Sequence, residues 1–234
     1  PVVCAGKMDP AVAAAEIAAG NIDALGMARQ NLVDPEWVNK ILEDRIADIK
    51  PCINCHNGCF NFSKSKSTAN TQSLEDSLHL ARCALTPQPM QHNKYKIVPT
   101  KKPKKVAIIG AGIGGLEAAL VLKQRGHMPV IFEKNDFVGG IYVTAAEMSF
   151  KQEDKALIKW YKRQIAKYDI EINFNTDIAD AASLLRDFDE GIITIGARPK
   201  TLRVPGFEKC IDFTDLLINN KGGVKIVFFG GGQS

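Results

Sequence analysis

Residues 106–119 read VAIIGAGIGGLEAA, and this stretch decides the fold. It holds Gly110-x-Gly112-x-x-Gly115 between a β-branched strand and an Ala/Leu-rich helix pattern. Glu133 ends the next apolar run, 18 residues after Gly115. Alone, a G-x-G-x-x-G is weak evidence; in strand–turn–helix–strand context it predicts a dinucleotide-binding βαβ unit. Gly110 permits the tight turn, Gly112 lets backbone approach a pyrophosphate, and Gly115 lets the helix pack close on the strand. The N–H groups and positive dipole at the helix start favour phosphate. Glu133 is expected to accept hydrogen bonds from a ribose diol.

Working outward, the pattern after Glu133 continues as βαβ. A helix is expected around 153–168, strands near 170–174 and 191–195, and a last strand at 224–229. That last strand runs into Gly230-Gly231-Gly232, a second glycine turn after an apolar run. Toward the N-terminus, residues 91–105 carry two prolines and six lysines and read as a linker. Residues 1–50 read as two strand–helix units. "PVVCAG" and "IDALGMA" are the strands, and Asp9-Pro10 and Asp34-Pro35 each pair an N-cap with a proline at the first helical position. Two βα units in tandem belong to a parallel sheet or barrel, but eight make a closed (β/α)8 barrel.

Between these parts lies Cys52–Phe60, CINCHNGCF, with Cys83 further on. Its first five residues match C-x-x-C-H, the attachment motif of a c-type haem. That reading leaves Cys59 unexplained. Zinc is the second reading, but structural zinc sites usually pair their ligands as C-x-x-C with a second pair, and here the fourth cysteine is solitary. The third reading is an iron–sulfur cube. C-x2-C-x3-C wraps one loop around three irons, and a distant cysteine reaches the fourth. Soft thiolates suit iron. This reading fits the spacing best and makes Cys52, Cys55, Cys59 and Cys83 the metal ligands. Cys4 and Cys210 stand apart and read as small buried apolar residues.

Composition sets limits. Hydrophobic content of 45% and charge of 24% are those of a globular protein. A net charge of +4, with its one basic run at 101–105 reading as solvated linker, gives no nucleic-acid face. No apolar run reaches the roughly 18 residues that would span a bilayer. The expected location is cytoplasmic. The chain opens directly into a strand and closes in a glycine turn, so it is expected to be a piece of a longer protein. An unclosed barrel edge exposes backbone and apolar surface. Expressed alone, the piece is expected to aggregate or to leave 1–50 disordered.

Two resemblances sharpen these readings. "FEKNDFVGG" (132–140) resembles the FAD-binding half of the two-dinucleotide flavoprotein reductases, implying FAD contacts from Lys134 and Gly140. "ITIGARPKTLRVPG" (193–206) resembles the same family's crossing segment, with Gly196 kept for close approach to the flavin nucleotide. Ile195 replaces a threonine there and removes one hydroxyl contact. In that family the later turn binds NAD(P)H, which implicates Gly230 and Gly232.

The whole order, barrel end, then C-x2-C-x3-C…C, then flavin domain, resembles the 2,4-dienoyl-CoA reductase branch of the old yellow enzyme family. That branch includes trimethylamine dehydrogenase and clostridial enoate reductases. The resemblance implies an α/β fold in five parts: the last two βα units of an FMN-binding TIM barrel (1–50), a 4Fe-4S segment (51–93), a linker (94–104), a Rossmann-like FAD-binding domain with the start of a nicotinamide domain (105–200), and an incomplete NAD(P)H-binding portion (201–234). It implies FMN held by Gly6, Lys7, Gly26, Met27, Ala28 and Arg29. The implied transfer runs from NAD(P)H to FAD, the 4Fe-4S cluster and FMN, and then to an activated C=C bond of a small-molecule substrate. In the amine dehydrogenase relatives the direction reverses. An electron-transfer module serving a separate partner is the other alternative. The remainder of the barrel is an implied partner upstream, and a homo-oligomer is left open. The family's catalytic residues lie in earlier barrel strands, so no catalytic residue is assigned. One departure concerns Cys59 and Cys83: 23 residues separate them here, against about eleven in the family, a surplus that loop-closure entropy makes cheap. It is read as an insertion in the polar loop 61–73.

Overall fold

The structure, a computed structural model, describes residues 1–59, 81–197, 204–219, 221–223 and 225–227. The predicted 61–73 insertion and the Gly230–Gly232 turn lie outside them, as do residues 224, 228 and 229 of the predicted strand 224–229. The chain forms two compact units, Pro1–Lys101 with Lys159–Lys167, and Lys102–Ile158 with Tyr168–Ser234. Among the described residues no helix is long and apolar enough to cross a membrane.

In the first unit, β1 (Val3–Ala5) pairs in parallel with β2 (Ala24–Gly26), and α1 (Pro10–Ala18) connects them. The α1 start is as the sequence dictates: the Asp9 carboxylate accepts from the N–H groups of Ala11 and Val12, and Pro10 follows in the first turn. The second predicted cap differs. A short helix, α2 (Arg29–Val33), comes first, and α3 starts only at Trp37 (Trp37–Leu42). Asp34 lies between them, 5% exposed, and its carboxylate accepts from the Lys50 N–H at 2.8 Å and the Lys40 ammonium at 2.6 Å. Both long-range donors meet Oδ2, while Oδ1 accepts from the Glu36 N–H at 3.2 Å, so Asp34 still caps the turn at Pro35 and Glu36 that leads into α3. A further one-turn helix, α4 (His92–Tyr95), lies beyond the cysteines.

The second unit is a four-stranded parallel sheet in the order β5-β4-β3-β6, formed by β3 (Lys105–Ile109), β4 (Met128–Phe132), β5 (Glu171–Asn173) and β6 (Glu190–Ile193). Helix α5 (Ile113–Gln124) packs on β3 and β4. Ala107, Ile108, Leu116, Ala119 and Ile131 are wholly buried, as expected for a parallel sheet covered on its faces. The strands predicted near 170–174 and 191–195 and the central helix stand where the periodicity placed them, whereas the described part of the predicted last strand, 225–227, is a bend and loop rather than a strand. A one-and-a-half-turn helix, α6 (Ile141–Ala146), follows the second glycine pair, and α8 (Ala181–Leu184) and α9 (Phe213–Leu217) are short.

Helix α7 (Gln152–Lys167) carries apolar residues at 157, 158, 161 and 165, one face of a 3.6-residue period. Its last turns belong to the first unit and meet Asp48 there. The Asp48 carboxylate accepts from Gln164 at 3.0 Å and pairs with Lys167, and its carbonyl accepts from the Trp160 indole at 2.9 Å. Burial pushes the Asp48 carboxyl up, but hydrogen bonds from Lys167 and Gln164 outweigh it and hold the pKa at about 2. A carboxylate depressed in the folded state stabilises above its unfolded pKa and loses that contribution as pH falls through the folded one. Between about pH 4 and pH 2 the first unit is therefore expected to lose on the order of 2 kcal/mol through Asp48. Urea unfolding across that range, compared with Asp48→Asn, isolates the term; identical acid slopes in the two proteins would contradict it.

Candidate cofactor sites

The glycine turn between β3 and α5 shows what each glycine is for. A Cβ on Gly110 would sit 2.7 Å from the Thr194 carbonyl oxygen, and one on Gly115 only 2.0 Å from the Gly110 carbonyl oxygen. Both glycines are therefore required by protein packing. A Cβ on Gly112 would meet nothing within 4 Å. Gly112 also offers no side-chain cap to α5. This third glycine faces open space at a helix start, the place where a phosphate is favoured.

Glu133 is 5% exposed. Its Oε2 accepts from the Ala111 N–H at 2.7 Å, and its Oε1 from the N–H and side-chain amide of Asn135 at 2.9 and 2.8 Å. The residue expected to hold a ribose thus also braces the glycine turn. A carboxylate has about four acceptor positions, so one on Oε2 remains. Gly139 pairs with Gly112 as an isolated parallel bridge, and Gly140 has φ 55° with its would-be Cβ 3.3 Å from the Gly112 Cα. The second glycine pair therefore packs on the first turn. Lys134 is exposed. Gly196 has φ 73° with open space at its Cβ position, a left-handed conformation that suits glycine. Sequence reasoning overlooked Thr194. Its hydroxyl lies 3.0 Å from the Ile109 carbonyl and 2.9 Å from that of Gly110, stitching β6 to the turn.

In the first unit, Gly6 and Gly26 stand at the same end of the paired strands, Gly26 being the register partner of Ala5. Gly6 has φ 136°. Lys7 and Ala28 are exposed, and Met27 is half-buried. Arg29 Nη1 lies 3.2 Å from Asn54 Oδ1 and 2.7 Å from His56 Nε2, so the residue expected at the FMN phosphate also braces the cysteine loop. Because a guanidinium only donates, His56 Nε2 accepts and is engaged. This counts against His56 as the axial ligand of the C-x-x-C-H haem reading.

Cys52, Cys55, Cys59 and Cys83 line one pocket of about 350 Å3, counting its solvent-filled mouth, whose wall includes Leu32, Val33 and Leu85 and also Arg29, His56 and Arg82. All four are free thiols. Asn54 and His56 have φ of 55° and 53°. Such left-handed residues on a short loop are uncommon and gather at functional sites. Burial pushes the Cys83 thiol up; hydrogen bonds from the Leu85 and Thr86 backbone oppose this, and the charges of Cys55 and Cys52 add to it. Cys83 is thus within electrostatic reach of the loop cysteines. Among the described residues, no three His, Cys, Asp or Glu side chains converge tightly enough for a single metal ion.

These features define a dinucleotide-binding fold of redox type joined to a thiol-lined pocket. Residues 104–234 match the pyridine nucleotide-disulphide oxidoreductase family, and the chain belongs to it. Its longer matches are those of the 2,4-dienoyl-CoA reductase and trimethylamine dehydrogenase branch of the old yellow enzyme family, as the resemblance implied. It is 33% identical to cinnamate reductase of Clostridium sporogenes over 236 residues, covering 99% of this chain and 33% of that protein. A 2-naphthoyl-CoA reductase complexed with 2-naphthoyl-CoA superposes with a TM-score of 0.81 at 28% identity, over 95% of this chain and 33% of that one. Histamine dehydrogenase from Rhizobium sp. 4-9 superposes with 0.71 at 26%, over 86% of this chain and 30% of that one. The chain spans about one third of the length of the curated relatives it matches.

Proposed function

We propose that this chain is the cofactor-bearing portion of a flavin oxidoreductase that reduces an activated C=C bond of the enoate or dienoyl-CoA type with NAD(P)H. The observation that carries the reading is the set of four free thiols on one pocket, in a chain that also carries the dinucleotide turn. The residues fit the implied groups. Cys52, Cys55, Cys59 and Cys83 would hold a 4Fe-4S cluster. Gly110, Gly112, Gly115, Glu133, Lys134, Gly140 and Gly196 would hold FAD, and Gly6, Lys7, Gly26, Met27, Ala28 and Arg29 would hold FMN. Gly230 and Gly232, beyond the described residues, would serve NAD(P)H. When bound, these groups supply the one- and two-electron redox chemistry that no side chain has.

The chain's own residues bind, orient and shield. Cys52, Cys59 and Cys83 are half-buried and Cys55 is exposed, so the pocket shields three of the four thiols in part. The α5 start presents unobstructed backbone at Gly112, and Glu133 keeps the turn in the shape that leaves it open.

A second reading, an amine dehydrogenase, is favoured by the likeness to histamine dehydrogenase. Anaerobic assays of the full-length protein separate the two. Nicotinamide consumption driven by 2-enoates such as cinnamate supports the reductase. Amine oxidation into an artificial acceptor, without nicotinamide consumption, supports the dehydrogenase. Neither activity in protein loaded with both flavins would defeat both.

A further inference from the structure

We infer that Gly58 and Lys50 are positioning residues that seat Cys83 among the other three cysteines; this deepens the cluster reading above and rests on it. Cys83 follows Cys59 by a 23-residue interval, so chain connectivity alone leaves its place loosely specified. Two clamps specify it. The first is at Gly58, the buried residue just before Cys59. Its carbonyl accepts from the N–H of Arg82, the residue just before Cys83, at 2.6 Å. A Cβ on Gly58 would stand 2.7 Å from the Arg82 carbonyl oxygen and 2.8 Å from its carbon. Both are backbone atoms and cannot swing aside. Gly58 is absent from the glycines with positive φ, so no left-handed turn demands glycine there. Space demands it: any side chain pushes the Cys83 segment away from the cysteine loop.

The second clamp is at Lys50, two residues before Cys52. It is 7% exposed, and its ammonium donates to the carbonyl of Leu85, two residues after Cys83, at 2.8 Å. The Lys50 backbone is itself fixed on Asp34, and its ammonium lies 5.2 Å from the Trp160 ring centroid and 5.7 Å from that of Tyr161. A cation held over aromatic faces in a buried site is well anchored. Leu85 in turn directs its N–H at the Cys83 sulfur, 3.5 Å away. Lys50 therefore fixes the residue that hydrogen-bonds the fourth thiol. Hydrogen bonds to ligand sulfurs raise a cluster's reduction potential. The two clamps touch the chain beside Cys52, beside Cys59 and on both sides of Cys83.

The test uses the full-length protein, reconstituted anaerobically with iron and sulfide. Wild type is expected to carry about four irons per chain. Gly58→Ala is expected to carry about three, with the EPR signal of an oxidised three-iron cluster, because a cube whose fourth ligand is displaced sheds that iron. Lys50→Met is expected to shift the cluster potential to more negative values, and Lys50→Arg to restore it. In protein freed of iron, alkylation read by mass spectrometry should label Cys83 several-fold faster in both disruptive variants than in wild type. That readout needs no cluster, and Lys50→Met carries it if Gly58→Ala fails to fold. Unchanged Cys83 labelling in folded variants, together with unchanged iron content and potential, would overturn the inference. A wild type that takes up no iron and sulfide overturns the cluster reading instead, and Cys83 labelling still decides the clamps.

Discussion

Gly115→Ala is expected to destabilise the second unit strongly, whereas Gly112→Ala is expected to leave its stability intact and weaken its nucleotide binding. The two glycines are three residues apart in one motif, yet they answer to different constraints. At Gly115 an alanine Cβ falls 2.0 Å from the Gly110 carbonyl oxygen and 2.7 Å from Thr194 Oγ1. The first obstacle is backbone, tied into β3 and β4 through the Gly110 N–H and the Phe132 carbonyl at 2.8 Å. Relief requires moving α5 off the sheet, where Leu116 and Ala119 are wholly buried. Overpacking of this kind costs about 3 kcal/mol or more, a large part of a domain's stability. At Gly112 the backbone has φ −67° and ψ 175°, which alanine adopts freely, and the added methyl meets open space. Stability should hold within about 0.5 kcal/mol or rise slightly. A ligand filling that space would meet the methyl, and a clash of about 1–3 kcal/mol is about a 10- to 100-fold loss of affinity. Thermal melts of the flavin-free protein and titration with FAD read the two effects separately. A stable Gly115→Ala, or a Gly112→Ala that binds flavin as wild type does, contradicts the division of roles.

Glu133→Ala carries the second large effect. The carboxylate is nearly buried and accepts three hydrogen bonds, one from the buried N–H of Ala111 in the glycine turn. Truncation leaves that donor without its partner, at about 1–3 kcal/mol, and removes charge-assisted bonds to Asn135. A loss of about 2–4 kcal/mol in chemical denaturation is expected, with flavin affinity falling in step as the turn loosens. Glu133→Gln keeps size and one acceptor but turns an amide N–H2 toward a donor, so an intermediate loss is expected. A Glu133→Ala protein within about 0.5 kcal/mol of wild type would limit the residue to ligand contact.

The contrast between these residues and the ones overlooked shows how far the sequence could be read. The strand–turn–helix around Gly110 was legible because glycine spacing, β-branched residues and a following acidic residue are local signals with a fixed geometry. Asp9 was legible as a cap for the same reason. Asp34 carries the same local pattern and its Oδ1 does take the Glu36 N–H, but the regular helix starts only at Trp37, and nothing local announced that Lys50 and Lys40 would meet its Oδ2 from 16 and 6 residues away. Thr194, Gly58 and Lys50 gave no signal, since each matters through a partner distant in the sequence. The face of α7 could be predicted from its period, but not that its last turns would close on Asp48. For Arg29 the motif suggested a phosphate, and no local signal said that its guanidinium would also meet Asn54 and His56.

The most direct test of the central claim is Mössbauer spectroscopy of the full-length protein reconstituted with isotopically enriched iron, alongside four single Cys→Ser variants at 52, 55, 59 and 83. The signature of a four-iron cube in wild type, diminished in every one of the four variants, is the predicted result. Zinc bound in place of iron, or a cube that survives Cys83→Ser unaltered, would contradict it.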